Sequence, residues 1–392
     1  MRKYMKMLAC LMAAIYMVSC QKDPIFEEVS SLTTLDATDV SINSAVLNGE
    51  LDLTYWRRDN IQVEYVGFYI STSSDFNSED TEYYEQNSSS SSSPNFSFSR
   101  EARGLKENTT YYYYAYARKW ADEAVIKGAV KSFTTRPLIA PQGAIRGLFA
   151  VSNTQKVFIS RGNLQYRASS KTWRFAEQQY DCIGDANSNI SATYSGWIDL
   201  FGWGTSGCSN KYPYMTSGTY SDYILWNSIS GTNYDWGVYN AISNGGNRSG
   251  LWRTLTRSEW AYLCQKGDGC SDDALATVCG VHGYILLPLS FTMPSGVAWV
   301  SQALNWSTNI YNAQTWSKME EAGAVFLPAA GCRAGSSVIS FGTEGQYWSS
   351  TRESGEGPQF LKFNETTINA YYYYYLSSGY YGCSVRLVQD YQ

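Results

Sequence analysis

Between residues 30 and 136 the side chains alternate in short runs, with every second position apolar, β-branched or aromatic, and no stretch repeats at the helical interval. Strands are expected at 45–53, 63–71, 95–100, 110–118 and 125–134, separated by turn-rich connections. A single short strand cannot bury its own apolar face, so five of them over about 100 residues predict a β-sandwich. Thirty-three tyrosines, 13 tryptophans and 15 phenylalanines make up 16% of the chain, nearly matching the 17% that is charged. Rigid, amphipathic rings at that density suit twisted sheets.

The first twenty residues set where such a chain folds. Arg2, Lys3 and Lys6 precede an apolar stretch from Met7 to Val18, then Ser19 and Cys20. A charged start, an apolar middle and a small residue at the end form a secretory signal over residues 1–19, and the apolar run is shorter than the ~20 residues a span requires. Met17-Val18-Ser19-Cys20 resembles the lipobox of bacterial lipoproteins, which implies that Cys20 is acylated and becomes the first mature residue. Residues 20–29 then form a polar, lipidated tether. The expected membrane attachment is through this anchor only, with the protein on the outer membrane facing the cell surface; the periplasmic face is the alternative.

Three of the 30 basic residues lie in the signal, leaving 27 against 35 acidic ones, a mature net charge of −8. No basic stripe exists to neutralise phosphates, which excludes nucleic acid as a partner. Apart from Cys10 and Cys20, seven cysteines remain, at 182, 208, 264, 270, 279, 332 and 383. None has the C-x-x-C spacing of a zinc ribbon or redox motif, so structural disulfides are expected in an oxidising compartment. Cys332 with Cys383 and Cys182 with Cys208 are the favoured pairs; the odd number leaves at least one thiol over, and connectivity stays open.

Gly104 to Tyr111, GLKENTTY, resembles the corner of fibronectin type III domains, with Leu105, Thr109 and Tyr111 spaced at 0, 4 and 6. SAVLNGEL at 44–51 and KSFTT at 131–135 also resemble such modules in lipoproteins of Bacteroidetes. The resemblance implies that the Tyr111 hydroxyl ties its strand to the preceding loop. NSSSSSS at 87–93 is low in complexity and is expected as a loop. Residues 137–143, PLIAPQG, form a linker stiffened by Pro137 and Pro141.

From residue 144 to 392 the composition shifts toward Gly, Trp, Asn and Ser. Thr256-Arg257-Ser258-Glu259 is a capping box that opens a helix, and a second helix is expected over 313–322 between Asn312 and Gly323. Strands are expected at 157–164, 324–328, 347–351, 359–363, 371–376 and 384–387. SRGNLQY at 160–166, WRTLTRSEW at 252–260, GQYWSST at 345–351 and GCSVRLV at 382–388 together resemble the Fibrobacter succinogenes major paralogous domain, related to the C-type lectin-like and formylglycine-generating-enzyme-like fold. The resemblance implies a core that includes Trp252, Trp260, Trp348 and Val385. The fold expected is mainly β: an N-terminal fibronectin III-like β-sandwich over 30–136, followed by an α+β C-type lectin-like domain with long loops over 144–392.

Little material for catalysis is present. His282 is the one histidine and reads as structural, and the adjacent carboxylates Asp272–Asp273 and Glu320–Glu321 read as solvated faces, neither spaced to flank a sugar ring. Formylglycine-generating enzymes hold copper on a close cysteine pair near the C-terminus; the matching region here offers only Cys332 and Cys383, read first as a disulfide. Residues 181–187 place oxygens at alternate positions but lack the closing glutamate of a calcium loop. No cofactor and no metal is expected, and an enzyme on this scaffold ranks third.

The positive case is for binding. Trp197, Trp203, Tyr212, Tyr214, Tyr220, Tyr223, Trp226, Tyr234 and Trp236 are interleaved with Gly, Ser, Asn and Thr, a composition that offers flat rings beside adaptable polar groups. Trp203, Tyr214, Tyr223, Trp226, Trp236 and Tyr373 are the ligand-contact candidates. Tyr373 comes from the run Tyr371 to Tyr375, in which strand alternation sends Tyr371, Tyr373 and Tyr375 to one face and Tyr372 and Tyr374 to the other; the run reads first as cross-strand pairs that stabilise a sheet and second as an exposed ladder that binds a ligand. The expected function is capture of a glycan, or of a surface protein, by a lipid-anchored head; the alternative is a structural or tip subunit of a surface fibre.

Overall fold

The computed structural model describes residues 32–391 apart from 53–62, 88–94, 120–124, 189, 218–219, 224–226, 265–271, 290, 354–355 and 374–379. The expected signal, Cys20, the tether, Cys270, Trp226, Tyr374, Tyr375 and nearly all of the serine-rich segment lie outside the described residues. The chain divides into two compact units, Met1–Pro137 and Leu138–Gln392.

The first unit contains β1 (Leu32–Thr38), β2 (Ser44–Asp52), β3 (Val63–Ser71), β4 (Glu82–Asn87), β5 (Asn95–Arg103), β6 (Thr110–Lys119), β7 (Val125–Lys127) and β8 (Lys131–Thr134). β1, β2 and β5 form one antiparallel sheet; β4, β3 and β6 form the other, with β7 and β8 both pairing with β6. The β-sandwich read from the sequence is therefore present. In β2 the burial alternates strictly, so Ala45, Leu47 and Leu51 face the core opposite Val66, Phe68 and Ile70 of β3. Gly49 shares that face because the Phe98 ring fills its Cβ space. The expected strand 125–134 is split in two at Gly128, whose N–H donates to Ala115 O at 2.8 Å. Ala115 N in turn donates to the buried Thr34 hydroxyl at 3.0 Å, which ties β1 to β6. β1 and β4 were not among the expected strands.

The corner behaves as the resemblance implies. Lys106 N donates to Tyr111 Oη at 2.9 Å, and Leu105 is buried. The ring thus anchors in the core while its hydroxyl satisfies a loop amide.

The second unit is mainly β as well. Its strands are β9 (Phe149–Ala150), β10 (Lys156–Ile159), β11 (Leu164–Arg167), β12 (Thr172–Phe175), β13 (Arg253–Thr254), β14 (Asp273–Val278), β15 (Val281–Leu286), β16 (Asn309–Tyr311), β17 (Val325–Pro328), β18 (Cys332–Ala334), β19 (Ser337–Ile339), β20 (Gly345–Arg352), β21 (Pro358–Asn364), β22 (Thr367–Tyr373), β23 (Tyr381–Gly382) and β24 (Leu387–Asp390). The helices are α1 (Trp236–Tyr239), α2 (Arg257–Leu263) and α3 (Ala313–Glu321). Among the described residues these strands form five small sheets, ordered β13-β24-β10-β9, β11-β12, β16-β14-β15-β17, β19-β18-β23 and β20-β21-β22.

Both expected helices form with their caps. Thr256 Oγ1 accepts from Glu259 N while Glu259 accepts from Thr256 N, and Asn312 accepts from Thr315 N at 2.9 Å. Gly323 stops α3 at a positive φ, in a space closed by Arg146 O. The expected strand 157–164 ends at Ile159: Ser160 N still donates to Leu387 O of β24 and Ser160 bridges Ala144, after which Leu164 opens β11 and the chain enters another sheet, paired with β12. The β14–β15 hairpin was not expected; its turn residues Cys279 and Gly280 both have positive φ, the geometry of a tight two-residue hairpin. The division after Pro137 falls at the start of the linker expected at 137–143, and Gly143 O accepts from Arg161 N within the second unit.

Candidate binding surface

Three of the candidate contact rings are interior. Trp203 and Trp236 are fully buried and Tyr223 is 2% exposed, so none offers a face to a ligand. The physical reason is that long loops supply few ladder hydrogen bonds, and indoles close the gap: Trp203 Nε1 donates to Ser349 O at 3.0 Å, Trp348 Nε1 to Phe201 O at 2.7 Å, and Trp260 Nε1 to Trp348 O at 3.3 Å. These bonds stitch α2 to β20 and β20 to the loop around Phe201. Trp252, Trp260, Trp348 and Val385 are core, as the resemblance implied. Tyr223 lies over Gly202, where a Cβ would collide with its ring, and burial pushes its hydroxyl up to about 12. Trp197 is half-buried, with the guanidiniums of Arg167 and Arg174 at 4.2 and 4.0 Å from its ring centre.

Exposure falls instead on tyrosines. Tyr214 is half-buried against the core, and Tyr212 stacks on it at 5.2 Å with an interplanar angle of 5°. Tyr212 is exposed and donates to Asn210 Oδ1 at 2.8 Å. The loop that carries them is held from below: the buried Arg333 donates to Met215 O at 2.9 Å, and Asn240 Nδ2 donates to Ser206 O at 3.0 Å. Tyr239, at the end of α1, is exposed and was not among the candidates.

The β22 tyrosines follow the expected alternation as far as the described residues go. Tyr371 and Tyr373 are 53% and 37% exposed, whereas Tyr372 turns inward to Phe360 at 5.4 Å. The β21–β22 register shifts between Phe360 and Lys362, and Tyr371 N donates to Asn369 Oδ1 there. Such irregularities re-aim side chains. Arg257, the first residue of α2, places its guanidinium 5.2 Å from the Tyr371 ring and its Nη2 3.1 Å from Glu353 Oε1. The patch therefore combines two flat rings with a cation and a carboxylate, which is stacking area plus charged hydrogen-bonding groups.

A packed cluster of rings lies on the outer face of the first unit, with Tyr83 exposed, Tyr69 half-buried and Tyr114 and Tyr116 buried beneath their neighbours. Tyr69 stands opposite Tyr83 and Tyr114 in the β4-β3-β6 register, with its ring 6.0 and 5.3 Å from theirs. The Tyr116 ring lies above Gly67, and Phe76 meets Tyr114 edge-on at 4.7 Å. Alternate tyrosines at 112, 114 and 116, in phase with 65 and 69, were the available signal.

Other sequence expectations resolve differently. His282 Nδ1 lies 2.7 Å from Gly342 O and its ring stacks on Trp306, a structural setting. Asp272 and Asp273 are not a solvated face: Asp272 accepts from Trp299 Nε1 and Ser301 Oγ, and Asp273 is 2% exposed. The oxygens of 181–187 are used locally, since Asp181 accepts from Gln178 N and Asn187 turns inward to Asp199. Among the described residues no group of three or more His, Cys, Asp or Glu is placed to hold a metal ion, and no helix is long and apolar enough to cross a membrane. The structure joins none of its described cysteines through sulfur. Cys182 lies beside Asp199 and Asp181, and Cys208 beside Ser209, whereas Cys332, the first residue of β18, and Cys383, the residue after β23, are both fully buried.

No family model and no curated protein matches the chain. Among solved structures, the sensor domain of the anti-sigma factor RsgI4 of Pseudobacteroides cellulosolvens is 16% identical over 28% of this chain and 99% of that one, at a TM-score of 0.20. The sixth fibronectin type III domain of human fibronectin type III domain containing protein 3 is 19% identical over 28% and 86%, at 0.19. PhoD is 14% identical over 59% of this chain and 33% of its own length, at 0.21. These likenesses are too slight to speak to activity.

Proposed function

We propose that the chain is a lipid-anchored binding protein of the bacterial outer surface, tethered through Cys20, whose C-type lectin-like second unit captures a glycan on exposed tyrosines. The observation that carries this reading is the sorting of rings in the second unit: most of the described tryptophans are buried, while Tyr371 and Tyr373 are exposed, Tyr371 beside the Arg257 guanidinium that pairs with Glu353. A tyrosine face stacks on the C–H face of a sugar, and the charged pair at its edge engages hydroxyls. Tyr212 and Tyr239 offer a second contact area on the same unit.

The test is a glycan array probed with the mature chain, residues 20–392, beside Tyr371→Ala/Tyr373→Ala and Tyr212→Ala/Tyr239→Ala. Loss of a stacking ring at a contact costs about 1–2 kcal/mol, or about 5–30-fold in affinity. Specific signal that falls by this amount in one variant supports the reading and places the site. Absence of signal from the unaltered chain ends the glycan reading and favours a fibre subunit, for which size analysis after detergent extraction is the next measurement.

A further inference from the structure

We infer that Cys332 and Cys383 are joined in the mature protein by a disulfide that locks the platform beneath the aromatic loops. β18 and β23 run antiparallel with Arg333 opposite Gly382 and Ala334 opposite Tyr381. One further step in that register sets Cys332 opposite Cys383. Residues directly opposite in an antiparallel pair have Cα atoms about 4.5–5.5 Å apart, inside the span of about 4.4–6.8 Å that a disulfide requires. Both side chains are fully buried. Cys383 Sγ lies 3.4 Å from Gln346 Oε1.

The position explains what the link does. Cys383 exchanges both backbone hydrogen bonds with Phe201 at 3.0 Å, and Ser384 N donates to Gln346 O at 3.0 Å. Four segments meet there: β18, β23, β20 and the loop from which Trp203 and its neighbours emerge. A bond from 332 to 383 closes a loop of 50 residues that includes β20, β21 and β22, and so fixes the strand bearing Tyr371 relative to that joint. Closing a long loop restricts the unfolded chain most strongly.

The chemistry is thiol–disulfide exchange. One thiolate attacks the disulfide of an oxidant, glutathione disulfide or an exported dithiol oxidase, to give a mixed disulfide and release one thiol. The second thiolate then displaces the remaining oxidant sulfur, so two electrons and two protons pass from the protein to the oxidant. Burial of both sulfurs requires this step before β23 docks.

The availability of such an oxidant rests on the extracytoplasmic address proposed above, and the test separates the two. Trypsin cleaves after Lys318, Arg333, Lys362 and Arg386, leaving Cys332 alone in peptide 319–333 and Cys383 alone in peptide 363–386. The full chain is alkylated and mapped without reductant in two preparations, one refolded in a glutathione redox buffer and one recovered from membranes of exporting cells. The expected result in both is a joined 319–333/363–386 species that separates on reduction. Joined peptides after refolding with alkylated single peptides from cells would remove the address and leave the pairing standing. Single alkylated peptides in both, or either peptide joined to another cysteine, overturns the pairing. Cys332→Ala, Cys383→Ala and the double variant should each melt about 10 °C below the oxidised chain and about equally, with no further loss on adding reductant. Additive losses, or a reductant effect that persists in the variants, also overturn it.

Discussion

The two units carry many aromatic rings and use them in opposite ways. In the first, long strands satisfy their backbone by ladder pairing, β3 with β6 over eight residue pairs and β2 with β5 over nine. Rings are then surplus to the ladder, and Tyr69, Tyr83, Tyr114 and Tyr116 are laminated on the outer face of the sheet. In the second, sheets are short and many contacts between segments are single bridges, such as Phe201 with Cys383 and Tyr347 with Ser384. There the indole N–H groups of Trp203, Trp260 and Trp348 take over the role of ladder hydrogen bonds. An aromatic excess in a chain of this kind therefore has to be divided by backbone regularity before it is read as a binding surface.

The largest test of that contrast is truncation of one ring of each class. Trp203→Ala removes a fully buried indole together with its bond to Ser349 O, and should destabilise the second unit by about 3–5 kcal/mol. Tyr69→Ala on the first unit removes surface stacking and should cost about 1 kcal/mol. Hydrogen exchange resolved by peptide in the full chain reads each unit separately. Equal losses would break the comparison.

Acidity should separate the units next. Burial pushes the carboxyls of Asp199 and Asp235 up to about 6, against hydrogen bonds from Asn187 and Ile183 to the first and from Thr254 and Gly237 to the second. A folded value above the unfolded one favours the neutral acid in the native state. That stability is fully present below about pH 4 and is lost as pH rises through about 6, by up to about 3 kcal/mol for each group. The second unit should accordingly be more protected from exchange at pH 5 than at pH 7.5. In the first unit Asp75 is held low chiefly by Ser73 and Asp80 chiefly by Ser78, which gives the opposite sign. Both are solvent-exposed, so that slope is slight and appears only as pH falls below the usual carboxylate range. A second unit that loses protection between pH 7.5 and pH 5 would show that Asp199 and Asp235 are ionised and stabilising in the native state.

What the sequence disclosed follows the same division. Period-two alternation exposed β2, β3, β5 and β6, because in a sandwich the pattern is the packing. β1 and β4 escaped: β1, LTTLDAT, has few apolar residues and its pairing shifts between Leu35 and Thr38, and β4, EYYEQN, carries polar residues on its inner as well as its outer positions. In the second unit, local chemistry was legible where it is local. The capping box at Thr256 and the Asn312 cap both form, since each depends only on residues three apart. Burial of Trp203, Tyr223 and Trp236 was not legible, because it depends on segments apart in the sequence: Trp203 reaches the carbonyl of Ser349, Tyr223 covers Gly202, and Trp236 packs against Phe201. The turn of the β14–β15 hairpin was hidden for a smaller reason: Cys279 holds a positive φ that Asn or Asp more often supplies.

A finer test concerns the corner of the first unit. Tyr111→Phe keeps the ring in the core and removes only the acceptor for Lys106 N, so the cost should be about 1 kcal/mol, confined to the first unit. A loss as large as that of Trp203→Ala would mean that side-chain hydrogen bonds support the sandwich as much as they support the loops.

The smallest effect should come from the tyrosines that the comparison assigns to solvent. Tyr371 gives up a guanidinium contact at 5.2 Å, but Arg257 keeps Glu353, and its backbone N–H keeps Thr351 Oγ1 at 3.0 Å. An exposed cation–π pair is worth about 0.5–1 kcal/mol, and surface substitutions elsewhere usually fall within about 0.5 kcal/mol. Tyr371→Ala and Tyr373→Ala should therefore leave the melting temperature within a few degrees of the parent chain. Little stability lost at two large rings means that folding does not explain their presence, which is the condition a contact residue has to meet. A drop of the size expected for Trp203→Ala would place Tyr371 and Tyr373 with the structural rings and leave Tyr212 and Tyr239 as the surface to probe.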